Sequence, residues 1–345
     1  MDLVAIDGSG SEGGGQILRT ALALSAATGR GFELTRIRAQ RLRPGLEPQH
    51  LAAVRAAALA CGAEVHGGFD GSPDLRFLPQ AVSAGEFSFD IGGAGAATLV
   101  LQTVVPILAL AGEASRVSVL GGTHVARSPG FEFVSRHWAA VVERLGIFAK
   151  ATLVRGGFAP RGEGQIDCEV SPWARPAKLD LCERGRLVAV RGVAGASRLR
   201  GDVARRAAEA ARKLLWEARR IETDWEIVEA NASSPGSYLQ IEGVFEQGRA
   251  AFSVLGERGR PPESMGERAA RRLLSFLDHE SAVVDPWLAD QLAVPLALAR
   301  GGGRLLTSEV SSHLERVAGI LRAFGVPAET RGRRGGPGEL EVGRW

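Results

Sequence analysis

The sequence predicts an α+β protein made of three repeated βαβαββ units, with a small α+β domain inserted in the third. Three observations carry this reading. A helix-plus-strand segment recurs at Leu51–Val65, Phe133–Ala149 and Leu314–Ala328, and each helix stops at a glycine, Gly62, Gly146 or Gly325, the expected C-terminal signal before a strand. An earlier helix recurs too, at Gln16–Thr28, Ala96–Ala111 and Trp287–Arg300, with Ala-Leu-Ala-Leu, Ile-Leu-Ala-Leu and Leu-Ala-Leu-Ala in corresponding places. Finally, Gly62 and Gly146 are 84 residues apart but Gly146 and Gly325 are 179, an excess of 95 that calls for an insertion.

Taken in order, the chain opens with an apolar strand, Leu3–Ile6, that runs through a glycine loop into the helix at Gln16. The helix at Ala96–Ala111 is apolar nearly all round and is expected to sit centrally among the helices. The excess falls at 181–277, leaving 1–180 and 278–345 as the main domain. Inside it we expect strands at Leu187–Val193, Thr223–Glu229, Tyr238–Val244 and Ala250–Leu255, and helices at Asp202–Glu217 and Glu263–Leu277. A last strand, Glu339–Val342, follows a basic hairpin loop, Arg331–Gly338.

Composition sets bounds. With 45% hydrophobic and 23% charged residues over 345 positions, the chain is neither disordered nor membrane-spanning in type. The start carries no basic leader, so a cytoplasmic location is expected. Three scattered cysteines, Cys61, Cys168 and Cys182, fit reduced thiols. The net charge is only +3, yet the cations are nearly all arginine, with Lys150, Lys178 and Lys213 the only lysines. That suits bidentate phosphate recognition and equally suits a plain compositional bias.

Four stretches could carry chemistry. The loop Asp7-Gly8-Ser9-Gly10-Ser11-Glu12-Gly13-Gly14-Gly15 feeds a helix start, where free N–H groups and the helix dipole favour an anion. It has neither the lysine of a Walker loop nor a dinucleotide fingerprint. Glu12 would repel phosphate unless a divalent cation lay between them, so the loop is either a metal-assisted phosphate cradle or a turn before a helix-start acid. Arg38, Arg41 and Arg43, followed by Gln49 and His50, form a Pro/Gly-bounded basic segment, a phosphate site or a solvated loop. Gly121-Gly122-Thr123-His124 with Arg127 is a second candidate phosphate turn. His313 sits where a helix begins after two serines; there an imidazole can attack phosphorus, or be a polar surface group. No Cys-x-x-Cys or His-Glu-x-x-His occurs, which speaks against a tightly bound transition metal.

As an ordered set these stretches resemble the RNA 3′-terminal phosphate cyclase family. The resemblance runs through Asp7–Thr20, the Arg-x-x-Arg-x-x-Pro-Gly-Leu-x-x-Gln-His stretch Arg38–His50, the Gly-Gly-Thr turn with Ser128-Pro129, Gly256-Glu257-Arg258-Gly259, Leu288-Ala289-Asp290-Gln291 and His313. It implies three repeats like the C-terminal domain of translation initiation factor 3 and a thioredoxin-like insert. It also implies an ATP-dependent enzyme: His313 takes AMP from ATP, AMP passes to an RNA 3′-phosphate, and the ribose 2′-OH closes a 2′,3′-cyclic phosphate. Adenylylation supplies a leaving group that a phosphate monoester lacks, and the 2′-OH already lies beside the phosphorus.

The same resemblance gives His313 as catalytic residue and Gln102, Trp287, Leu288, Ala289, Asp290 and Gln291 as nucleotide contacts, Trp287 stacking on adenine. Arg19, Arg38, Arg41, Gln49, His50 and Arg127 are the expected phosphate or RNA contacts, and Glu12 the ligand of a divalent cation, Mg2+ or Mn2+. Two rivals are a non-catalytic cyclase-like ribosome-assembly protein, which lacks the nucleophile, and nucleotidyl transfer to another polynucleotide end. An enolpyruvyl transferase, with a related body, would lack the insert and the late histidine. The chain departs from the family pattern at Glu163, where a glycine is usual, and at Leu314–Val317, where many members have Thr-Asn.

Overall fold

A computed structural model describes residues 3–10, 14–299 and 301–343. It is an α+β fold with four four-stranded sheets. The first sheet holds β1 (Val4–Asp7), β2 (Phe32–Thr35), β3 (Glu64–His66) and β4 (Leu75–Leu78) in the order β1-β2-β4-β3, with helices α1 (Gly14–Thr28) and α2 (Pro48–Cys61). The second holds β5 (Glu86–Asp90), β6 (Ser115–Gly121), β7 (Ala149–Arg155) and β8 (Gly164–Val170) in the order β5-β6-β8-β7, with α3 (Ala97–Leu108) and α4 (Ala139–Val142).

The strand β9 (Leu179–Leu181) opens the third set but pairs only much later in the chain. Between lie β10 (Leu187–Ser197), α5 (Val203–Arg219), β11 (Asp224–Glu229), β12 (Gly236–Phe245), β13 (Arg249–Leu255) and α6 (Pro262–Asp278), whose strands form their own sheet, β11-β10-β12-β13. After them come α7 (Pro286–Leu298), β14 (Gly303–Thr307), α8 (Ser312–Ala323), β15 (Ala328–Gly332) and β16 (Gly338–Val342), in the order β15-β16-β14-β9. In the first, second and last of these sheets the two leading strands are parallel and the next two pairings antiparallel.

The hydrophobic pattern explains the layering. One core joins α1, α2, α3, α7 and α8, and a separate one lies between β10, β12 and β13 and the helices α5 and α6. α3 buries every residue except Leu99, as an all-round apolar helix must, and it packs on α1, α2 and α7. Gly62, Gly146 and Gly325 all end their helices with φ of 59°, 93° and 85°, a left-handed conformation that glycine adopts without a Cβ penalty. A single residue, Val284, bridges Arg249 of β13 and Thr307 of β14 and so links the fourth sheet to the body.

One helix differs from expectation. The segment from Phe133 begins as a π-helix, Phe133–Trp138, before α4 and a short 3₁₀ turn. The Ala139 amide bonds to Val134 five residues back. This wider turn buries Phe133, Val134, His137 and Trp138 together.

The departure at Glu163 also has a structural consequence. Its φ is 53°, so a residue with a Cβ occupies a left-handed turn at the position where the resemblance implies glycine. Glu163→Gly is expected to raise the unfolding free energy by about 1 kcal/mol in chemical denaturation, the relief of that strain outweighing the extra chain entropy. A loss of stability would show that the Glu163 side chain stabilises the turn.

Candidate active site

The starts of three helices, α1, α2 and α8, meet at the described glycines of the loop. Gly14 and Gly15 open α1, and their missing side chains are occupied by the basic segment. A Cβ on Gly14 would lie 2.6 Å from Arg38 Cγ, and one on Gly15 2.8 Å from His50 Nε2 and 3.1 Å from Arg19 Nη1. On the other side of the loop Gly10 lies directly against the Arg316 guanidinium, one turn into α8 from His313. Glu12, the expected metal ligand, lies outside the described residues.

The basic segment is more internal than its sequence suggests. Arg38 donates to the Gly45 carbonyl at 2.9 Å and to Glu47 Oε1 at 2.6 Å, which commits most of its guanidinium to holding the loop. His50 is buried, and the Glu47 amide donates to its Nδ1 at 3.1 Å. Burial, with Arg19 and Arg38 adding repulsion, pushes its pKa down to about 3, so it faces Gly15 as a neutral imidazole. Arg19 donates to Gln16 Oε1 at 2.7 Å, and burial lowers its pKa to about 10, still cationic. Gln49 is part-buried beside Glu47 and Gly95. Arg41 and Arg127 are exposed.

His313 stands at the start of α8, nearly half exposed, with Nδ1 3.9 Å from Asp290 Oδ2. Ser311 does two things at once: its Oγ accepts from the Leu314 amide, capping α8, and donates to Asp290 Oδ1 at 2.6 Å. Asp290 is buried. Burial raises its pKa to about 7, Asp285 and Glu309 push the same way, and the Ser311 hydrogen bond opposes them. A carboxyl poised near neutrality beside an imidazole can hold or exchange a proton with it.

Asp290 belongs to α7, whose other expected contacts divide. Leu288 and Ala289 are fully buried and turn their side chains to the core. Trp287 is 45% exposed, with Phe252 edge-on at 5.8 Å and the Arg272 guanidinium 5.5 Å from its ring, so it stands where the fourth sheet and its helices meet the body. Gln291 is part-exposed, and its carbonyl accepts from Trp138 Nε1 at 3.3 Å. Gln102, on α3, is buried, and among the described residues neither its Oε1 nor its Nε2 has a hydrogen-bond partner. A buried amide left this way costs about 1–3 kcal/mol unless something satisfies it.

His124 requires a correction. The sequence offered it as a phosphate contact, but it is buried, with Nε2 donating to Glu132 at 2.6 Å, Nδ1 2.8 Å from Thr123 Oγ1 and its ring stacked 3.9 Å from Tyr238. Burial works against the Glu132 charge, yet His124 and the Tyr238 hydroxyl hold its pKa below the usual range. The cluster fastens β12 to the body and leaves no ring nitrogen for a ligand.

Sequence reasoning missed His137. It is fully buried, donating through Nε2 to Asp285 Oδ2 and through Nδ1 to Glu242 Oε1, both at 2.7 Å. Asp285 is also the cap of α7, accepting from the Leu288 amide at 2.9 Å, and its Oδ2 accepts from the Ala251 amide of β13. Arg249 donates to Glu242 at 2.9 Å. No local signal could have found this, because Glu242 and Asp285 lie 105 and 148 residues away.

The site thus sets a helix-start histidine beside a buried carboxyl, with the described glycines of the loop and several arginines around it, in an α+β fold. The family model of RNA 3′-terminal phosphate cyclases matches residues 10–328. Curated proteins of that name are 41% identical in Pyrobaculum aerophilum (93% of this chain, 92% of that protein) and 42% in Ralstonia nicotianae (93% and 91%). Another, from Pyrobaculum neutrophilum, is 40% identical over 97% of this chain and 96% of its own. The chain belongs to the RNA 3′-terminal phosphate cyclase family.

The His137 cluster has a pH signature. Burial alone would lower its pKa, but hydrogen bonds and charge from Asp285 and Glu242 raise it to about 9 from an ordinary 6.5. Its contribution is therefore complete below pH 6.5 and lost as pH rises through 9, on the order of 3 kcal/mol. Chemical denaturation of wild type should show this fall, and His137→Gln should flatten it; equal slopes in both proteins would refute the charged state of His137.

Proposed function

We propose that the protein is an ATP-dependent enzyme that converts RNA 3′-terminal phosphates to 2′,3′-cyclic phosphates, with His313 as the covalent carrier of AMP. The observation that carries this reading is the His313–Asp290–Ser311 constellation at the start of α8, beside Gly10 of the glycine loop. Family membership supports the activity and the use of ATP and RNA as substrates.

Nδ1 of His313 faces Asp290, so Nε2 is the nitrogen that attacks the α-phosphorus of ATP. The new N–P bond forms as the bond to the bridging oxygen breaks, and pyrophosphate leaves. Asp290 holds the imidazole in its productive orientation and stabilises the positive charge that develops on it. An oxygen of the RNA 3′-phosphate then displaces His313 to give an RNA–adenylate. The adjacent 2′-OH attacks the activated phosphorus and expels AMP. Arg19, and the parts of Arg38 and His50 that face Gly14 and Gly15, would meet the phosphates, while exposed Arg41 and Arg127, with Gln49, would meet RNA.

Gln102 would gain its missing partners from the nucleotide, and Trp287 would offer the open face of its ring to adenine, with Gln291 beside it. Leu288 and Ala289 contribute by seating α7 in the core.

A divalent cation, Mg2+ or Mn2+, would neutralise the triphosphate. Glu12, outside the described residues, is the protein ligand the resemblance implies for that ion, whose remaining ligands would come from ATP oxygens. The common order of the first, second and last sheets supports three copies of one βαβαββ unit, 1–180 and 278–345, like the C-terminal domain of translation initiation factor 3. The separate core of the fourth sheet supports an inserted domain at 181–277, thioredoxin-like in the family reading. Among the described residues no helix is long and apolar enough to cross a membrane, and a cytoplasmic location fits the three free thiols.

Incubation with α-labelled ATP and Mg2+ should give an acid-labile, base-stable protein–AMP adduct, absent in His313→Ala. The adduct should then turn RNA 3′-phosphates into cyclic ends. A wild type without adduct, or an alanine variant that keeps it, would overturn the mechanism.

Gln102→Leu separates a ligand contact from a structural one. Removing two unsatisfied polar atoms should leave the ligand-free protein as stable or slightly more so, while the KM for ATP rises about tenfold, the equivalent of one lost buried hydrogen bond. An unchanged KM in adenylylation assays would take Gln102 out of the nucleotide site.

A further inference from the structure

A second run of positive charge, besides the basic segment at the site, lies on α5 of the fourth sheet's layer. Residues 200–220, which span α5, carry seven basic and three acidic side chains, a net charge larger than the +3 of the entire chain. Arg205, Arg212 and Arg219 lie seven residues apart, about 10.5 Å per step along one side of the helix, and all three are exposed. Arg219 is paired with Asp278 of α6, and Arg206 and Lys213 have Glu263 and Glu217. Arg205 and Arg212 have no carboxylate partner among the described residues. Trp216 shares this face, 45% exposed, with the Arg220 guanidinium 5.2 Å from its ring.

The helix is linked to α7, which carries Asp290, through α6. α5 and α6 cover the same face of the fourth sheet and run parallel, Arg206 pairing with Glu263 at their starts and Arg219 with Asp278 at their ends. α6 reaches the body through Arg272, which meets Trp287 of α7. Moving outward from α7, the order is therefore α6 and then α5. The inner side of α5 is apolar and packed, with Ala204, Ala207, Ala208, Ala211 and Leu215 buried, so its outer side is fixed.

We propose that the outer face of α5 is a docking surface for the RNA chain upstream of the reacting 3′ end. Two guanidinium groups one step apart without acidic partners, Arg205 and Arg212, next to an exposed indole, match a strand that offers phosphates along its length and bases that stack. Two helix widths of about 10 Å each separate α5 from α7, and one phosphate occurs per 3.4 Å of strand, so about six nucleotides are needed to reach it. A short substrate reacts without touching α5; a long one binds more tightly because of it.

The proposal rests on the cyclase reading, and the test separates the two. Wild type and the double variant Arg205→Glu/Arg212→Glu are compared with 3′-phosphorylated RNAs of three and twenty nucleotides at several salt concentrations, with His313 adenylylation measured in parallel. Arg205→Gln/Arg212→Gln serves as the milder pair.

The expected result is a tenfold or greater rise in KM for the twenty-nucleotide RNA, no change for the three-nucleotide RNA, and unchanged adenylylation. The slope of log KM against log salt should fall by about 1.4, two phosphates at about 0.7 each. Unchanged KM and salt slope for the long RNA, with adenylylation intact, would overturn the docking surface. Absence of adenylylation or cyclisation in wild type would instead overturn the cyclase reading.

Discussion

The buried imidazole of His137 ties together parts of the chain that must be in register for the site to exist. Its two nitrogens reach a carboxylate on β12 and the capping carboxylate of α7, and the latter also takes the Ala251 amide of β13. A neutral imidazole can donate to only one of them, so the arrangement requires the imidazolium. With Arg249 on Glu242 the charges balance, which is the condition under which so dry a cluster is tolerable. Its consequence reaches the chemistry through one rigid element. α7 begins at Asp285, and five residues on it presents Asp290 to Ser311 and His313.

The described glycines of the loop let basic side chains close in on the start of α1 although the loop carries no lysine. Gly14 and Gly15 allow Arg38, Arg19 and His50 to approach the start of α1 at distances no Cβ would permit. Burial, reinforced by the charges of Arg19 and Arg38, keeps His50 neutral, so it can offer a hydrogen bond there but no charge. Arg38, fixed by Glu47, is a positioned cation rather than a flexible one. Both features favour a preorganised site, since little side-chain entropy remains to be lost when a ligand arrives.

Much of the fold was legible because its signals are local. Glycine stops at Gly62, Gly146 and Gly325, the all-apolar α3 and the strand and helix runs within 187–277 each need only a short window to read. The π-helical turn at Phe133–Trp138 was not legible, since its wider winding follows from burying four neighbouring side chains against partners distant in sequence. The site divides in the same way. His313, Asp290 and the basic segment stand in recognisable runs, whereas His124 looked available for a ligand only because Glu132 and Tyr238 could not be placed beside it. His137 gave no signal, because a lone helical histidine has no charge state until its carboxylates are known.

The buried polar atoms separate what the fold completes from what it leaves open. The clusters at His137 and His124 are saturated: each ring nitrogen has a partner, and each carboxylate is matched by a cation or a hydroxyl. Gln102, on the most buried helix of the body, has neither acceptor nor donor among the described residues. Thr20 Oγ1 and Ser135 Oγ are also buried without a partner among the described residues, but Gln102 leaves both a donor and an acceptor open, a whole amide for which the proposed nucleotide would supply partners. The polar atoms of the His137 and His124 clusters, which join the fourth sheet to the body, are thus structural, whereas the open amide of Gln102 is left for the nucleotide proposed above.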